Sequence, residues 1–143
     1  MIVLDTNVIS ELVKPVPSPA VLEWLSSQDR ESVFLTSITA AELLYGIHIL
    51  PPGRRRDHLE QAMEGIVLEE FKGQVLPFDD DAARVLAVVG AERREMGRPM
   101  SQFDAMIAAI CRLHDARLAT RNARDFEHCG ITLLDPWTQT GLC

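Results

Sequence analysis

Five short strand-like runs, at residues 2–5, 33–37, 74–78, 117–120 and 131–134, alternate along this chain with stretches whose apolar residues recur at helical spacing. Parallel strands need a crossover long enough to hold a helix, and such crossovers return on both faces of the sheet. The alternation therefore predicts a mainly parallel central sheet in a three-layer α/β/α domain. The first helix is expected from about Pro19, with Ser18 as cap and Val21, Leu22, Trp24 and Leu25 as its apolar face. Further helices are expected from Thr39, over 54–70, over 79–94 and over 101–114, the last presenting Phe103, Met106, Ile107, Ile110 and Leu113 on one face. Gly97 and Pro99 stop the helix over 79–94, and Pro77 marks the third strand as an edge or a strand end.

With 143 residues, 47% of them hydrophobic, the chain suits one domain, residues 1–143, with a sizeable core. No segment approaches the roughly 20 apolar residues of a membrane span, and no leader precedes the first strand-like run, so the expectation is a soluble cytoplasmic protein. Cys111, Cys129 and Cys143 are odd in number and widely spaced, which suits a reducing compartment and suggests no catalytic role.

Four acidic residues, Asp5, Glu42, Asp104 and Asp125, stand where the chain leaves a strand or enters a helix. In a parallel sheet such junctions converge on the carboxyl edge, where ligands bind. Each has a bland explanation. Glu42 completes a Thr-x-x-Glu capping box with Thr39, Asp104 stands in the same relation to Ser101, and Asp5 and Asp125 suit turns. Together they point to a divalent-metal site, because gathered carboxylates repel one another unless cations neutralise them. An all-oxygen donor set favours Mg²⁺ or Mn²⁺ over zinc. The Asp79-Asp80-Asp81 run reads as a helix cap, with Asp79 also a candidate for a neighbouring role.

The net charge of −7 argues mildly against nucleic-acid binding, yet arginines cluster beyond residue 50. Arg54 to Arg56 and the pair Arg93 and Arg94 read as solvated helix faces, whereas Arg121 and Arg124 stand beside Asp125. Nucleotide-loop, serine-elbow and zinc-helix motifs are absent, and His48, His58, His114 and His128 form no metal-spacing cluster. A phosphotransfer domain using an aspartate after its first strand needs a lysine after a later strand, and neither Lys14 nor Lys72 is suitably placed. A protein-binding module whose acids merely cap helices is the non-enzymatic alternative.

The motifs Ile-Val-Leu-Asp-Thr-Asn at 2–7, Thr-Ala-Ala-Glu-Leu at 39–43, Phe-Asp-Ala-Met-Ile-Ala-Ala at 103–109 and Thr-Arg-Asn-Ala-Arg-Asp-Phe at 120–126 are similar, in order and spacing, to those of the PIN-domain ribonucleases. The resemblance covers essentially the whole chain and is to the VapC-like toxins of toxin-antitoxin and plasmid-stability systems, including the FitB-type branch. It implies a metal-dependent endoribonuclease, a hydrolase using Mg²⁺ or Mn²⁺. Asp5, Glu42 and Asp104 would be the core metal ligands, and Asp125 would contribute directly or through water. Thr6 and Asn122 would orient water, metal or phosphate, Asn7 would brace the strand end, and Arg121 or Arg124 would contact RNA. The implied partners are a cognate antitoxin, a second copy of the toxin or a larger toxin-antitoxin assembly, and operator DNA only through the antitoxin. The apolar stretch 43–47 would face such a partner or belong to the core.

Overall fold

The strand β1 (Ile2–Leu4) is hydrogen-bonded on both sides and buried at all three positions. Side chains alternate across a strand, so Val3 points to one face and Ile2 and Leu4 to the other. Each face meets its own apolar cluster. Ile2 and Leu4 pack with Val8, Ile9, Val21 and Leu43, whereas Val3 packs with Val89, Ile107, Leu118 and Phe126. Two cores on opposite sides of one sheet make the three-layer arrangement that the alternating sequence predicts. Ile107 and Leu118 are fully buried, and cutting either back to alanine would cost about 2–5 kcal/mol.

The computed structural model describes residues 1–142. After β1 come α1 (Thr6–Leu12), α2 (Pro19–Ser26), β2 (Val33–Thr36) and α3 (Ser37–His48). A fourth helix, α4 (Arg54–Glu64), runs on through a π-helical stretch at Gly65–Glu70 to β3 (Val75–Leu76). The chain continues through α5 (Asp80–Glu95), α6 (Gln102–Leu113), β4 (Arg117–Ala119), a 3₁₀ turn at Ala123–Phe126, β5 (Leu133–Asp135) and β6 (Thr140–Leu142). The sheet order is β3-β2-β1-β4-β5-β6, parallel throughout except for the last pair. From β1 the chain moves outward through β2 to β3, then returns to the other side of β1 as β4. That reversal opens a crevice at the carboxyl ends of β1 and β4.

Four expectations need correction. A helix begins directly at Thr6, with Asp5 as its cap, where the sequence suggested none before Pro19. The final strand does not end the fold at residue 134, because β6 pairs antiparallel with β5. On α6, Ile107 and Ile110 are buried as expected, but Phe103 is half exposed and the small residues Ala105, Ala108, Ala109 and Cys111 complete the packed face. Small side chains there let α5 and α6 lie against each other. Arg93 is buried rather than solvated, whereas Arg94 is exposed.

Other features follow the sequence. Pro77 does mark an edge strand, because β3 is outermost. Gly97, at φ 72°, ends α5 in the left-handed turn that glycine adopts without strain, and the Arg98 N–H closes it on the Arg93 carbonyl at 2.9 Å. Within 43–47, Leu43 and Ile47 belong to the core while Tyr45 is exposed. Cys111 and Cys129 are buried free thiols, and Cys143 lies outside the described residues. Among the described residues, no helix is long and apolar enough to cross a membrane.

Candidate active site

The crevice between β1 and β4 is organised around one buried carboxylate. Asp5 is 5% exposed, and because its strand runs straight into α1, its Oδ1 accepts the Thr6 N–H at 2.8 Å as a helix cap. Its Oδ2 accepts the Thr120 hydroxyl at 2.7 Å and the Asn7 side-chain amide at 3.3 Å. Burial nevertheless pushes the Asp5 carboxyl up to about 6, against those hydrogen bonds, and the neighbouring charges of Asp104 and Glu42 push the same way.

Thr120, directly after β4, is absent from the expected set of site residues, yet its hydroxyl joins the two strand ends. Its hydroxyl also accepts the Asn122 N–H at 3.0 Å, while Asn7 Oδ1 accepts the Arg121 N–H at 3.3 Å. A polar residue directly after an apolar strand, as at Asp5, is the signal that marks it.

Glu42 is half-buried on α3, and its Oε1 accepts the Thr6 hydroxyl at 2.9 Å. The capping-box explanation fails here. The cap of α3 is Thr36, whose hydroxyl accepts the Thr39 N–H at 3.0 Å, so Thr39 and Glu42 both lie inside the helix. For Asp104 the local reading does hold in part, since Ser101 caps α6 and accepts the Asp104 N–H at 3.2 Å. Burial raises both carboxyls above their ordinary range; Asp104 adds to the rise at Glu42, and Asp125 to that at Asp104.

Asp5, Glu42 and Asp104 line one cleft of about 360 Å³, together with Thr6, Asn7 and Asn122. Exposed Arg121, half-buried Trp137, Lys14 and buried Glu11 also line it. Lys14 therefore comes closer than the sequence suggested, but its ammonium bonds Glu11 at 3.0 Å. That contact, followed by the Ser18 N–H, holds the Glu11 carboxyl below the usual range. Asp125 and Arg124 are exposed on the 3₁₀ turn and do not line the cleft. Asp79 caps α5 through the Ala82 N–H at 2.9 Å, and all four histidines are exposed and away from the cleft.

The turn bearing Asp125 is held from beneath by Arg93. Its guanidinium donates to the carbonyls of Asp125 at 3.1 Å, Glu127 at 2.7 Å and Arg98 at 2.7 Å. An arginine in a helix rich in charge gives no sequence signal of such burial.

The expected quartet thus divides into three cleft carboxylates and one outside. Among the described residues, no three of Asp, Glu, His or Cys converge closely enough to hold a metal ion between them alone. The donor set still suits a hard cation that takes one or two carboxylates directly and keeps part of its water shell, as Mg²⁺ does. Three carboxyls raised by burial, with neighbouring acid charges adding to each, are the electrostatic condition that a cation relieves.

Comparison with known proteins gives a consistent family. A family model described as PIN domain matches residues 2–131. The chain is 44% identical to a VapC ribonuclease, Y4jK, of Sinorhizobium fredii, covering 96% of this chain and 98% of that one. It is 36% identical to toxin FitB of Neisseria gonorrhoeae, over 96% of this chain and 99% of that protein. The solved structure of FitAB bound to an IR36 DNA fragment superposes with a TM-score of 0.89 at 36% identity, over 96% of each chain.

Proposed function

The chain belongs to the PIN-domain family, and on that premise we propose that it is the endoribonuclease toxin of a toxin-antitoxin pair, hydrolysing RNA phosphodiester bonds and neutralised by a cognate antitoxin. The observation that carries the reading is the meeting of Asp5, Glu42 and Asp104, from three separate elements, along one cleft at the sheet's switch point. The domain is residues 1–143, and the partner that covers the toxin is a second protein of the kind seen in FitAB, with operator DNA reached through it.

Hydrolysis requires an oxygen nucleophile in line with the departing oxygen, and stabilisation of the charge that builds on the phosphoryl group between them. Asp5, Glu42 and Asp104 would hold a divalent cation, Mg²⁺ or Mn²⁺, and Asp125, on the adjoining turn, would contribute directly or through water. When bound, such a cation supplies a water of lowered pKa and polarises a phosphoryl oxygen. The chain's own part is positional. Thr120, Asn7 and the Thr6 N–H fix the Asp5 carboxylate, leaving it one orientation. The Thr6 hydroxyl ties Glu42 to the same strand end, so the two carboxylates keep their separation. Asn122, its backbone anchored by Thr120, offers a side-chain amide at the cleft for water or phosphate.

The test is cleavage of a structured RNA pool by the purified full chain with Mg²⁺, with Mn²⁺ and with chelator, beside Asp104→Asn. Metal-dependent cleavage that disappears in the variant is expected. Chelator-resistant cleavage, or full activity in Asp104→Asn, would overturn the assignment.

A further inference from the structure

The rim of the acidic cleft carries one cation whose side-chain donors are not committed to a carboxylate. The Arg121 guanidinium lies 4.9 Å from the centroid of the Trp137 ring, and both residues line the cleft that holds Asp5, Glu42 and Asp104. Arg121 is exposed, and among the described residues no acid stands within ion-pair distance of it. Lys14, the other cation of the lining, is bonded to Glu11. Trp137 is itself held in place: its backbone N–H donates to Asp135 Oδ1 at 2.9 Å, and its half-buried side chain packs against the core cluster of Ile2, Leu4 and Val8. Its backbone belongs to the turn between β5 and β6.

An arginine laid on an indole keeps its planar fork oriented while its outward N–H groups stay open to a ligand. That fork matches two oxygens of a phosphate. A cleft floored by three carboxylates repels a polyanion at its mouth, so a strand entering it gains most from a fixed cation at the rim. RNA carries phosphates at regular intervals, and can therefore place one over the floor and the next against the rim. We infer that Arg121, oriented by the Trp137 ring, forms a phosphate-binding subsite that holds the RNA strand beside the phosphodiester being cleaved. This rests on the ribonuclease reading above.

The experiment measures binding of a labelled hairpin RNA to the full chain in the Asp104→Asn background, by fluorescence anisotropy across a range of salt. Arg121→Gln is expected to weaken binding about tenfold and to lower the salt slope by about one, the signature of a lost phosphate contact. Trp137→Leu should move affinity and slope in the same direction, and Trp137→Phe should restore most of both, because phenylalanine keeps a ring face under the guanidinium. A destabilised Trp137→Leu does not affect the decision, since Arg121→Gln alters an exposed side chain. RNA binding with unchanged affinity and slope in Arg121→Gln would overturn the subsite alone and leave that guanidinium for an acidic segment of a protein partner. Absence of RNA binding by the parent would remove the subsite together with the ribonuclease reading.

Discussion

The Thr120 hydroxyl donates to Asp5 across 2.7 Å, bridging the carboxyl ends of two adjacent parallel strands. The bond stabilises the charged form of a carboxyl that burial disfavours. Thr120→Val keeps the shape and removes the donor, so Asp5 should hold its proton to higher pH. The acid limb of the cleavage pH profile is expected to move up by about one unit. Thr120→Ser should leave it in place. An unmoved limb in the valine variant would show that Asp5 ionisation does not govern activity.

A second prediction concerns stability in chelator. The Asp5 carboxyl sits near 6 in the fold and near 3.8 as a free side chain. With the folded value raised, its charging costs nothing below about pH 4, then costs progressively more up to about pH 6, and stays costly above. The full cost is at most about 3 kcal/mol. Asp5→Asn should therefore melt at a higher temperature than the parent at pH 7, by an amount that shrinks towards pH 4. The Asn7 amide, which would face another donor, reduces the gain. A Tm difference that is the same at pH 4 and pH 7 would count against the raised carboxyl.

The strands and the three cleft acids were legible because Asp5 directly follows β1, Asp104 stands in the first turn of α6 and Glu42 stands in the first half of the helix that follows β2, and a parallel sheet gathers those junctions at one edge. The helix after Asp5 was not legible: Thr6–Leu12 is only seven residues long, includes β-branched side chains and follows the strand without a spacer. The cap of α3 was misplaced because Thr36 and Thr39 are equally good candidates in sequence, and only the end of β2 decides between them. Arg93 was read as surface because the sequence shows its charge but not the three carbonyls that surround it.

Glu42→Gln separates ligation from local structure. Glutamine retains an oxygen for the Thr6 hydroxyl, and Glu42 plays no part in the cap of α3, so the fold should be unaffected in chelator. What changes is the charge facing the cation. The rise in Tm on adding Mg²⁺ or Mn²⁺, which follows the affinity of the folded state, is expected to shrink markedly in the variant. An undiminished rise would remove Glu42 from the cation site while leaving Asp5 and Asp104 in it.

Arg93 makes the most demanding case, because its three carbonyl contacts rest on a single planar group in a buried setting. Lysine supplies a charge but no fork, so Arg93→Lys leaves at least one of these carbonyls without its donor. A loss of about 2–3 kcal/mol is expected, seen as a Tm lowered by several degrees. The released segment carries Asp125, whose charge acts on Asp104. If the Arg93 clamp places that charge for the reaction, kcat should fall in Arg93→Lys even at temperatures where the variant is fully folded. Normal kcat in the folded variant would confine Arg93 to holding the fold and would separate the turn bearing Asp125 from the chemistry of the cleft.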